Sequence, residues 1–359
     1  MRKLAVGFAA FGIMIAIFIV SGKNNNQQQP NKLPPQQQQS GPPNQPKSNL
    51  QQALQTIERP ELEADLKYLC SPNLEGRMSG MKGNETTATW ISQKFQAWGL
   101  QPQLQTFGVR VLNEHKEKSS GRSSNIIGVL PGNHPTLRSE TIVVGAHMDH
   151  IGYGPAMSQA AGRREIHPGA DDNASGTVVL MAIAKASSLL KGQNNRTIVF
   201  IAFSGEEMGL YGSKHYVDNP LHPNTVFMLN MDMVGRYNNK GTLSCLGAGS
   251  SPEVRAICES LKGYTFRANC TSGSGGGSDH APFYQKHIPI CFLHTGQHND
   301  YHTPDDTPDK IDYNGLTLIS KFGTHLVWEI DRLDKKPSFT GIVSKDEDVF
   351  RDHDFMKGK

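Results

Sequence analysis

The stretch TIVFIAFSGEE, residues 197–207, decides the fold class of this chain. Its first seven residues are apolar or β-branched, and Glu206 and Glu207 follow after a short Ser-Gly turn. A strand that is apolar on both faces belongs in the middle of a sheet that helices cover on both sides. The stretch therefore predicts a central buried strand with acidic groups just beyond its carboxyl end.

Three further stretches repeat this arrangement. Residues 141–146 (TIVVGA) precede His147, residues 225–231 (TVFMLNM) precede Asp232, and residues 288–293 (IPICFL) precede a segment that contains His302. Helical patterns over residues 174–190, 208–218, 252–262 and 278–286 separate these strands. The alternation predicts an α/β fold, a single-domain three-layer sandwich with a mixed, mainly parallel central sheet and helices on both faces. Ligands of such sheets bind beyond the carboxyl ends of the strands.

The flanking parts of the chain contain less regular patterns. Helices are predicted over residues 57–69, 85–98 and 313–333, strands over residues 104–112 and 125–130, and a charged turn over residues 116–122.

The sequence GADDNASG, residues 169–176, lies between the strand that precedes His147 and the next helix. Two adjacent carboxylates between glycines favour a bound cation, because like charges this close need a counterion. The alternative is a helix N-cap, since Asp and Asn before a helix accept hydrogen bonds from its free amides. The ligand-type residues after the four strands favour the metal interpretation, with Asp172 as the ligand and Asp171 outside direct contact with the metal.

Both ends of the chain differ in composition from the middle. Residues 1–22 contain Arg2, Lys3 and the apolar run 4–20, which is typical of a signal peptide or an N-terminal membrane anchor. Residues 23–55 are rich in Gln, Asn and Pro and predict a disordered linker. The catalytic domain is predicted over residues 56–335, with a charged tail over residues 336–359. We therefore expect an exported, periplasmic or extracellular protein, in contact with a membrane only through its N-terminal segment.

Charge and cysteine content exclude some partners. The formal net charge is +3, and Arg2 and Lys3 in the N-terminal segment supply two of these charges, so no nucleic-acid partner is expected. The five cysteines include no CxxC pair, which argues against a cysteine-based zinc site. An oxidising compartment would permit a disulfide, but the sequence does not select a pair.

The candidate site residues are imidazoles and carboxylates, which suit zinc, with cobalt or manganese as substitutes. They are His147, Asp172, Glu206, Glu207, Asp232 and His302. This set exceeds the needs of one tetrahedral zinc and suits two zinc ions that share one carboxylate. The acid of the Glu206–Glu207 pair that does not bind metal could then act as a general base. The alternative for this pair is stabilisation of a helix N-terminus.

The ordered motifs AHMDH, GADDNASG, SGEEMGLYGS, NMDMVGR, SDHAPF and YHTPDDT resemble those of the co-catalytic di-zinc exopeptidases. Bacterial leucyl aminopeptidase, aminopeptidase S and aminopeptidase Y belong to this group, and the resemblance covers roughly residues 57–333. It implies that His147 and Asp232 bind one zinc ion and that Glu207 and His302 bind the other. It also implies that Asp172 bridges the two ions and precedes a cis peptide bond.

The same resemblance assigns the catalytic roles. Glu206 would be the general base, Asp149 would support His147, and Tyr301 would stabilise the tetrahedral intermediate, or alternatively cover His302 as an aromatic lid. The implied reaction is hydrolysis of the peptide bond next to a free N-terminus, with attack by a water that bridges the metal ions. The expected partners are the N-termini of peptides or proteins, and the oligomeric state is left open.

Three alternatives remain on the same fold. A glutaminyl cyclase-like acyltransferase shares much of the motif set but lacks the first histidine ligand, which His147 supplies here. A metallocarboxypeptidase would cleave from the opposite end of the substrate. A non-catalytic binding domain is disfavoured because the ligands and the base are all present.

Several other polar residues are placed outside the metal centre. His150, His215, His222 and His287 are interpreted as surface or packing residues. His280, in SDHAPF, is expected to line a pocket or to serve a structural purpose. Asp305 and Asp306 are expected to cap a turn, with indirect support of the site by Asp306 as an alternative.

Overall fold

Eight strands form one mixed sheet in the computed structural model, which describes residues 48–112, 118–160 and 162–343. The strands are β1 (Gln103–Leu112), β2 (Lys118–Leu130), β3 (Thr141–His147), β4 (Thr197–Phe203), β5 (Thr225–Met231), β6 (Thr242–Leu246), β7 (Arg267–Cys270) and β8 (Ile290–His294). Their order in the sheet is β1-β2-β4-β3-β5-β8-β6-β7. The four central strands β4, β3, β5 and β8 are mutually parallel, whereas β1, β2 and β6 introduce antiparallel pairings.

Helices connect the strands and cover the sheet. In chain order they are α1 (Asn49–Gln55), α2 (Arg59–Leu69), α3 (Lys82–Ala97), α4 (Gly176–Ser188), α5 (Tyr211–Asp218), α6 (Pro252–Ser260), α7 (Ala281–Gln285) and α8 (Tyr313–Asp331). Helix α4 is buried along nearly its whole length, between the sheet and α8. Its largely apolar composition follows from this position, because a helix that is hydrophobic on nearly all sides must be buried.

Side chains of the central strands alternate between two cores. On β4, Ile198, Phe200 and Ala202 lie in one core, and Val199, Ile201 and Phe203 lie in the other. The first core includes residues of α4 and α8, and the second includes Tyr216 of α5 and Phe283 of α7. Because successive side chains on a strand point to opposite faces, wholly apolar strands are needed to fill both cores. The predicted three-layer α/β sandwich with a mixed sheet is thereby confirmed.

The sequence-based boundaries need correction at several places. The predicted charged turn over residues 116–122 is wrong from residue 118 onward, because β2 begins there and pairs with β1. The linker was predicted to extend to residue 55, but α1 begins at Asn49 with a Ser48 capping box and buries Ala53. Strands β6 and β7 were not predicted.

The predicted charged tail also begins too early. Ser338 donates a hydrogen bond to the carboxylate of Glu253, and the ring of Phe339 packs against Tyr284 and His287. Residues up to 343 therefore belong to the folded part of the chain.

The predicted signal or anchor over residues 1–22, residues 23–47 of the linker and residues 344–359 of the tail lie outside the described residues. No helix within the described ranges is long and apolar enough to cross a membrane. Export stays a prediction.

Candidate metal centre

The candidate ligands come together at the carboxyl edge of the central strands. His147 is the last residue of β3, Asp232 directly follows β5, and Glu206 and Glu207 follow β4 within four residues. Strands β4 and β5 both pair with β3 in parallel register, so their carboxyl ends meet at one edge. The regular sheet therefore positions three of the five ligand-bearing segments beside one another, and the segment after β8 supplies His302.

The fourth segment is the turn Ala170–Ser175, between β3 and α4. Its Asp172–Asn173 peptide bond is cis, as the resemblance implied. The side chain of Asn173 donates to the carbonyl of Met231 at 2.9 Å and accepts from the backbone N–H of Gly176 at 2.8 Å. Asn173 thus fastens the turn both to the end of β5 and to the start of α4, and part of the predicted cap function is real.

The two carboxylate oxygens of Asp172 face different histidines. Oδ1 lies 3.4 Å from Nε2 of His147, and Oδ2 lies 3.0 Å from Nε2 of His302. Asp232 Oδ1 lies 3.4 Å from the same nitrogen of His147, and Glu207 Oε2 lies 3.0 Å from that of His302. Asp172 therefore belongs to two ligand groups at once, which is the placement that a bridging ligand requires.

The donor atoms in these groups fit divalent cations. All five predicted ligands are shielded from solvent, with Asp232 retaining 13% side-chain exposure. Within the described residues, His147 Nε2, Asp172 Oδ2, Asp232 Oδ1 and His302 Nε2 are buried atoms without a hydrogen-bond partner. Buried polar atoms are normally satisfied, so four convergent exceptions point to a ligand. Imidazole and carboxylate donors without sulfur suit zinc.

Electrostatics favour bound positive charge at the same place. Burial raises the pKa of Asp172 to about 7, and the neighbouring Glu207 carboxylate adds to this rise. Burial also raises the pKa of Glu206 well above its ordinary value, although His147 opposes the shift. Burial opposes ionisation of His147 as well, but Asp232 and Glu206 outweigh it and raise the pKa of this imidazole. Cations at the site would stabilise the ionised carboxylates and so take the place of the protons that these groups hold in their absence.

Glu206 lies beside the ligand groups. Its carboxylate is within 4.8 Å of the donor atoms of His147 and Glu207. Its backbone N–H donates to Oδ1 of Asp149 at 3.4 Å. Asp149 fixes the start of the Glu206–Glu207 turn through this bond, a contact that the sequence did not predict.

The support of His147 by Asp149 differs from the expectation. Nδ1 of His147 lies 3.2 Å from the backbone carbonyl oxygen of Asp149 and 3.8 Å from its carboxylate Oδ1. The carbonyl is therefore the group that orients the imidazole. Burial raises the pKa of the Asp149 carboxyl to about 7.

Tyr301 packs against a residue of the second ligand group. Its ring stacks on His302 with a centroid separation of 3.9 Å and an interplanar angle of 19°. Burial, with smaller contributions from the carboxylates of Asp172 and Glu207, raises the pKa of the Tyr301 hydroxyl. The phenol stays protonated and can donate a hydrogen bond, while its ring covers the histidine.

The prediction that His150 lies outside the site is wrong. His150 is buried, and its Nδ1 lies 2.7 Å from Oε1 of Glu207. Burial lowers the pKa of this imidazole to about 3. His150 therefore stays neutral and donates a hydrogen bond to Glu207, whose pKa is well below the ordinary range because His302 and His150 outweigh burial. The three-residue spacing from His147 was the available signal.

Asp171 and Asp306 support the turn that carries Asp172. The backbone N–H groups of Asp171 and Asp172 donate to Oδ2 of Asp306 at 2.8 Å and 3.0 Å. Asp171 accepts from the N–H of Gly235 at 2.6 Å and lies 3.1 Å from Nε2 of His298. Asp171 thus lies away from the ligand groups. Asp306 positions the turn through the hydrogen bonds that its carboxylate accepts from the backbone.

The remaining candidates occupy other environments. His280 is buried and stacks on Phe292 with centroids 4.4 Å apart, in agreement with a structural role. Asp279 was not singled out by the sequence, yet it is buried near His147 and burial raises its pKa to about 7. His215 and His222 are half-buried and His287 is exposed, each apart from the ligand groups.

The fold and the site together define a metallopeptidase of the three-layer α/β type. The sequence profile of peptidase family M28 matches residues 125–327, and the chain belongs to this family. The prediction of a metallopeptidase from the ordered motifs is confirmed at the level of the family.

Named relatives are similar to this chain in sequence, and solved structures share its fold. A probable leucine aminopeptidase of Trichophyton verrucosum is 28% identical over 78% of this chain and 74% of its own length. Aminopeptidase YwaD of Bacillus subtilis is 31% identical over 64% of this chain, which spans half of that protein. BSAP, a zinc aminopeptidase from Bacillus subtilis, superposes with a TM-score of 0.61 at 19% identity, covering 79% of this chain and 98% of that chain. The glutaminyl cyclase of Porphyromonas gingivalis has a TM-score of 0.60 at 21% identity over 75% and 97%.

Proposed function

We propose that this chain is a zinc-dependent aminopeptidase that binds two zinc ions and uses Glu206 as its general base. The observation that carries the proposal is the placement of Asp172, whose two oxygens lie 3.4 Å and 3.0 Å from the nitrogens of two different histidines. One shared carboxylate between two ligand groups is typical of two-metal hydrolases, including aminopeptidases. The aminopeptidase names of the relatives support the choice of substrate.

Each ligand group would hold one ion. His147 and Asp232 would hold the first, Glu207 and His302 would hold the second, and Asp172 would contact both. When bound, zinc supplies positive charge that polarises a carbonyl group and lowers the pKa of water toward neutrality. The negative charge of three ligand carboxylates would only partly offset the positive charge of two zinc ions. The remaining positive charge would help to polarise the carbonyl group of an uncharged amide.

The protein residues supply the proton transfers. Glu206 is close enough to the ligand groups to accept a proton from an attacking water and to return it to the leaving amine. The raised pKa of its carboxyl favours acceptance of the proton from water, because a carboxylate with an ordinary pKa is a weak base near neutral pH. The protonated Tyr301 hydroxyl can donate to the oxygen that gains negative charge as water adds to the carbonyl.

The substitution Glu206→Gln tests the assignment of the base. The variant keeps the size and hydrogen-bonding capacity of the side chain but cannot accept the proton. We expect zinc content to match the wild type and kcat on aminoacyl-nitroanilides to fall by about 10²–10⁴-fold. Zinc per chain and kcat should be measured on the same preparations.

Glu207→Gln and Glu85→Gln are the matched controls. Glu207→Gln removes charge from a predicted ligand, so zinc content and turnover should fall together. Glu85 is exposed on α3, and its substitution should change neither. Near wild-type turnover by Glu206→Gln would refute its assignment as the base.

Metal stoichiometry and substrate blocking separate the alternatives on this fold. About two zinc ions per catalytic centre favour the peptidase, whereas about one favours a cyclase-like acyltransferase. An aminopeptidase loses activity when the peptide N-terminus is acetylated, whereas a carboxypeptidase loses it when the C-terminus is amidated. Retained zinc without turnover of any peptide would indicate a binding protein.

A further inference from the structure

Four of the five cysteines converge at the edge of the sheet that begins beyond β8. Cys245 lies on β6, Cys270 on the edge strand β7, Cys291 on β8 and Cys258 on α6. Cys245 and Cys270 are direct partners in the parallel β6–β7 register. The side chains of all four lie in or against the same core, on the face that α6 covers.

The sulfur atoms are close enough to share one ion. Those of Cys245, Cys258 and Cys270 all lie within 4.8 Å of one another. Cys291 interacts with Cys245 and Cys258, but its sulfur lies outside the set that is mutually within 4.8 Å. Sulfur atoms in a tetrahedral zinc site with bonds of about 2.3 Å are separated by about 3.8 Å, so the side chains, that of Cys291 above all, would have to move toward one another to complete the geometry.

The surroundings of the four cysteines suit thiolates held by a cation. Cys245, Cys258 and Cys291 are buried, and Cys270 is half-buried. The Cys245 thiol has a long contact of 3.8 Å to the carbonyl of Leu243, which is a weak hydrogen bond. The guanidinium of Arg255 donates to the Cys270 carbonyl at 3.2 Å, and its Nε is buried with no hydrogen-bond partner in the described part of the chain. A positive group next to the cysteines would offset the excess negative charge of a thiolate site.

We propose that Cys245, Cys258 and Cys270, with Cys291 as the fourth ligand, form a structural site for a thiophilic metal ion, zinc in the first place. Binding would release the thiol protons to solvent and would involve no oxidation. The sequence argued against a cysteine site because CxxC pairs are absent, but strand register and the packing of α6 provide the proximity that sequence spacing does not. Four protein ligands leave no open position, so the ion would stabilise structure and take no part in hydrolysis.

The location explains what such an ion would stabilise. Strand β7 has four residues and is paired on one side to β6 alone. A metal bonded to Cys270, Cys245 and Cys258 would tie this edge strand and α6 to the interior of the sheet. A short edge strand forms hydrogen bonds with a neighbouring strand on one side only. A metal cross-link at β7 would therefore add stability that hydrogen bonds do not supply.

Cobalt substitution of the full-length protein tests the proposal independently of peptidase activity. Thiolate ligands give cobalt(II) a strong charge-transfer absorption in the near ultraviolet, whereas the imidazole and carboxylate ligands of the peptidase site do not. Reduced, metal-free protein titrated with cobalt should develop this absorption, saturating at one sulfur-bound ion per chain. Asp172→Asn should keep the absorption even if it loses the ions of the peptidase centre.

Cysteine variants locate the site. Cys270→Ser, at the half-buried edge position, and Cys245→Ser should each abolish the absorption and remove one equivalent of zinc. Cys70→Ser is the matched control, since Cys70 is a buried cysteine at the end of α2, and it should retain both. Absence of the absorption from reduced wild-type protein, or its persistence in Cys270→Ser and Cys245→Ser, would overturn the proposal. A disulfide among these cysteines that leaves no metal uptake after reduction would also overturn it.

Discussion

Glu207 is held by two imidazoles, one on each carboxylate oxygen. Oε1 lies 2.7 Å from Nδ1 of His150, and Oε2 lies 3.0 Å from Nε2 of His302. His302 is a predicted metal ligand, whereas His150 approaches from the buried side. Neutral His150 can therefore orient Glu207 while His302 and Glu207 both face the ion, as supporting partners of metal ligands commonly do.

The substitution His150→Phe should weaken zinc binding without removing a predicted ligand. Phenylalanine retains the ring volume but cannot donate to Glu207, so the carboxylate loses its orienting partner. We expect zinc affinity to fall by about 10–100-fold and kcat at saturating zinc to change much less. Affinity should be measured by competition with a chelator of known strength.

Two variants define the specificity of that effect. His150→Asn retains a side-chain N–H near the position of Nδ1 and should recover most of the affinity. His215→Phe changes a half-buried histidine on α5, apart from the ligand groups, and should bind zinc like the wild type. Equal affinities for His150→Phe and wild type would rule out a supporting role for this imidazole.

Sequence reasoning found the site residues that follow apolar strands. His147, Asp232 and the Glu206–Glu207 pair could be placed because the ends of parallel strands meet at one sheet edge. The structure brings these residues together with Asp172 and His302. His150 and Asp279 were missed because strand periodicity does not determine loop contacts, although both residues lie within quoted motifs, AHMDH and SDHAPF.

The turn Ala170–Ser175 and helix α4 act as one element that positions Asp172. Gly176 begins α4 where the chain passes closest to β5. A Cβ added at Gly176 would lie 2.3 Å from the carbonyl oxygen of Met231 and 2.3 Å from Oδ1 of Asn173. Asn173 and Met231 are the residues that hold the turn against the sheet. A side chain at position 176 would collide with both, so this position requires glycine.

Gly176→Ala should therefore destabilise the fold and disturb the site. The added methyl group meets a backbone oxygen that cannot move independently of β5, and overpacking of this kind costs about 1–3 kcal/mol. We expect a lower urea midpoint and reduced zinc content, both measured on the purified variant.

Gly323→Ala in α8 is the matched substitution. Its Cβ would lie 2.7 Å from Cδ1 of Ile183, the flexible end of a side chain that can move. The gain in helix propensity, about 1 kcal/mol for Gly to Ala, would offset part of that contact. Equal destabilisation by the two substitutions would show that the Met231 contact has no special importance.

Whole elements were predictable where both faces are buried. Strands β3, β4 and β5 are almost completely buried, so their apolar runs were unambiguous. Strand β7 alternates between exposed and half-buried positions over four residues, and β6 mixes exposed and buried ones, so neither gave a recognisable pattern. Helix α1 was not predicted because its glutamines give it a polar composition. Its one buried residue, Ala53, is too little to show an apolar face in the sequence.

At the scale of the whole molecule, the metal centre concentrates buried acid groups at one edge of the sheet. In the absence of cations, burial raises the pKa values of Asp149, Asp172 and Asp279 to about 7. A folded-state pKa above the unfolded value gives stability that is present at low pH and is lost as pH rises through the folded value. The metal-free protein should therefore lose stability from these groups as pH rises from their ordinary value of 3.8 through about 7, and the loss should level off about one pH unit higher.

Bound zinc should prevent this loss of folding stability, so the stabilisation by zinc should increase with pH. Bound cations replace protons at the ligand carboxyls and screen the neighbouring acids, and metal affinity rises as ligand protons are lost. We expect the difference in melting temperature between zinc-loaded and chelator-treated protein to widen from about pH 6.5 to about pH 8. The reason is that a ligand that binds only the folded state stabilises it more as its affinity rises. His150 does not change this difference, because its lowered pKa of about 3 keeps it neutral in the folded protein with or without zinc. Differential scanning calorimetry at several pH values measures the difference, and Asp172→Asn should show a smaller widening. A gap that is constant or narrows toward pH 8 would mean that these buried carboxyls are not coupled to the metal ions.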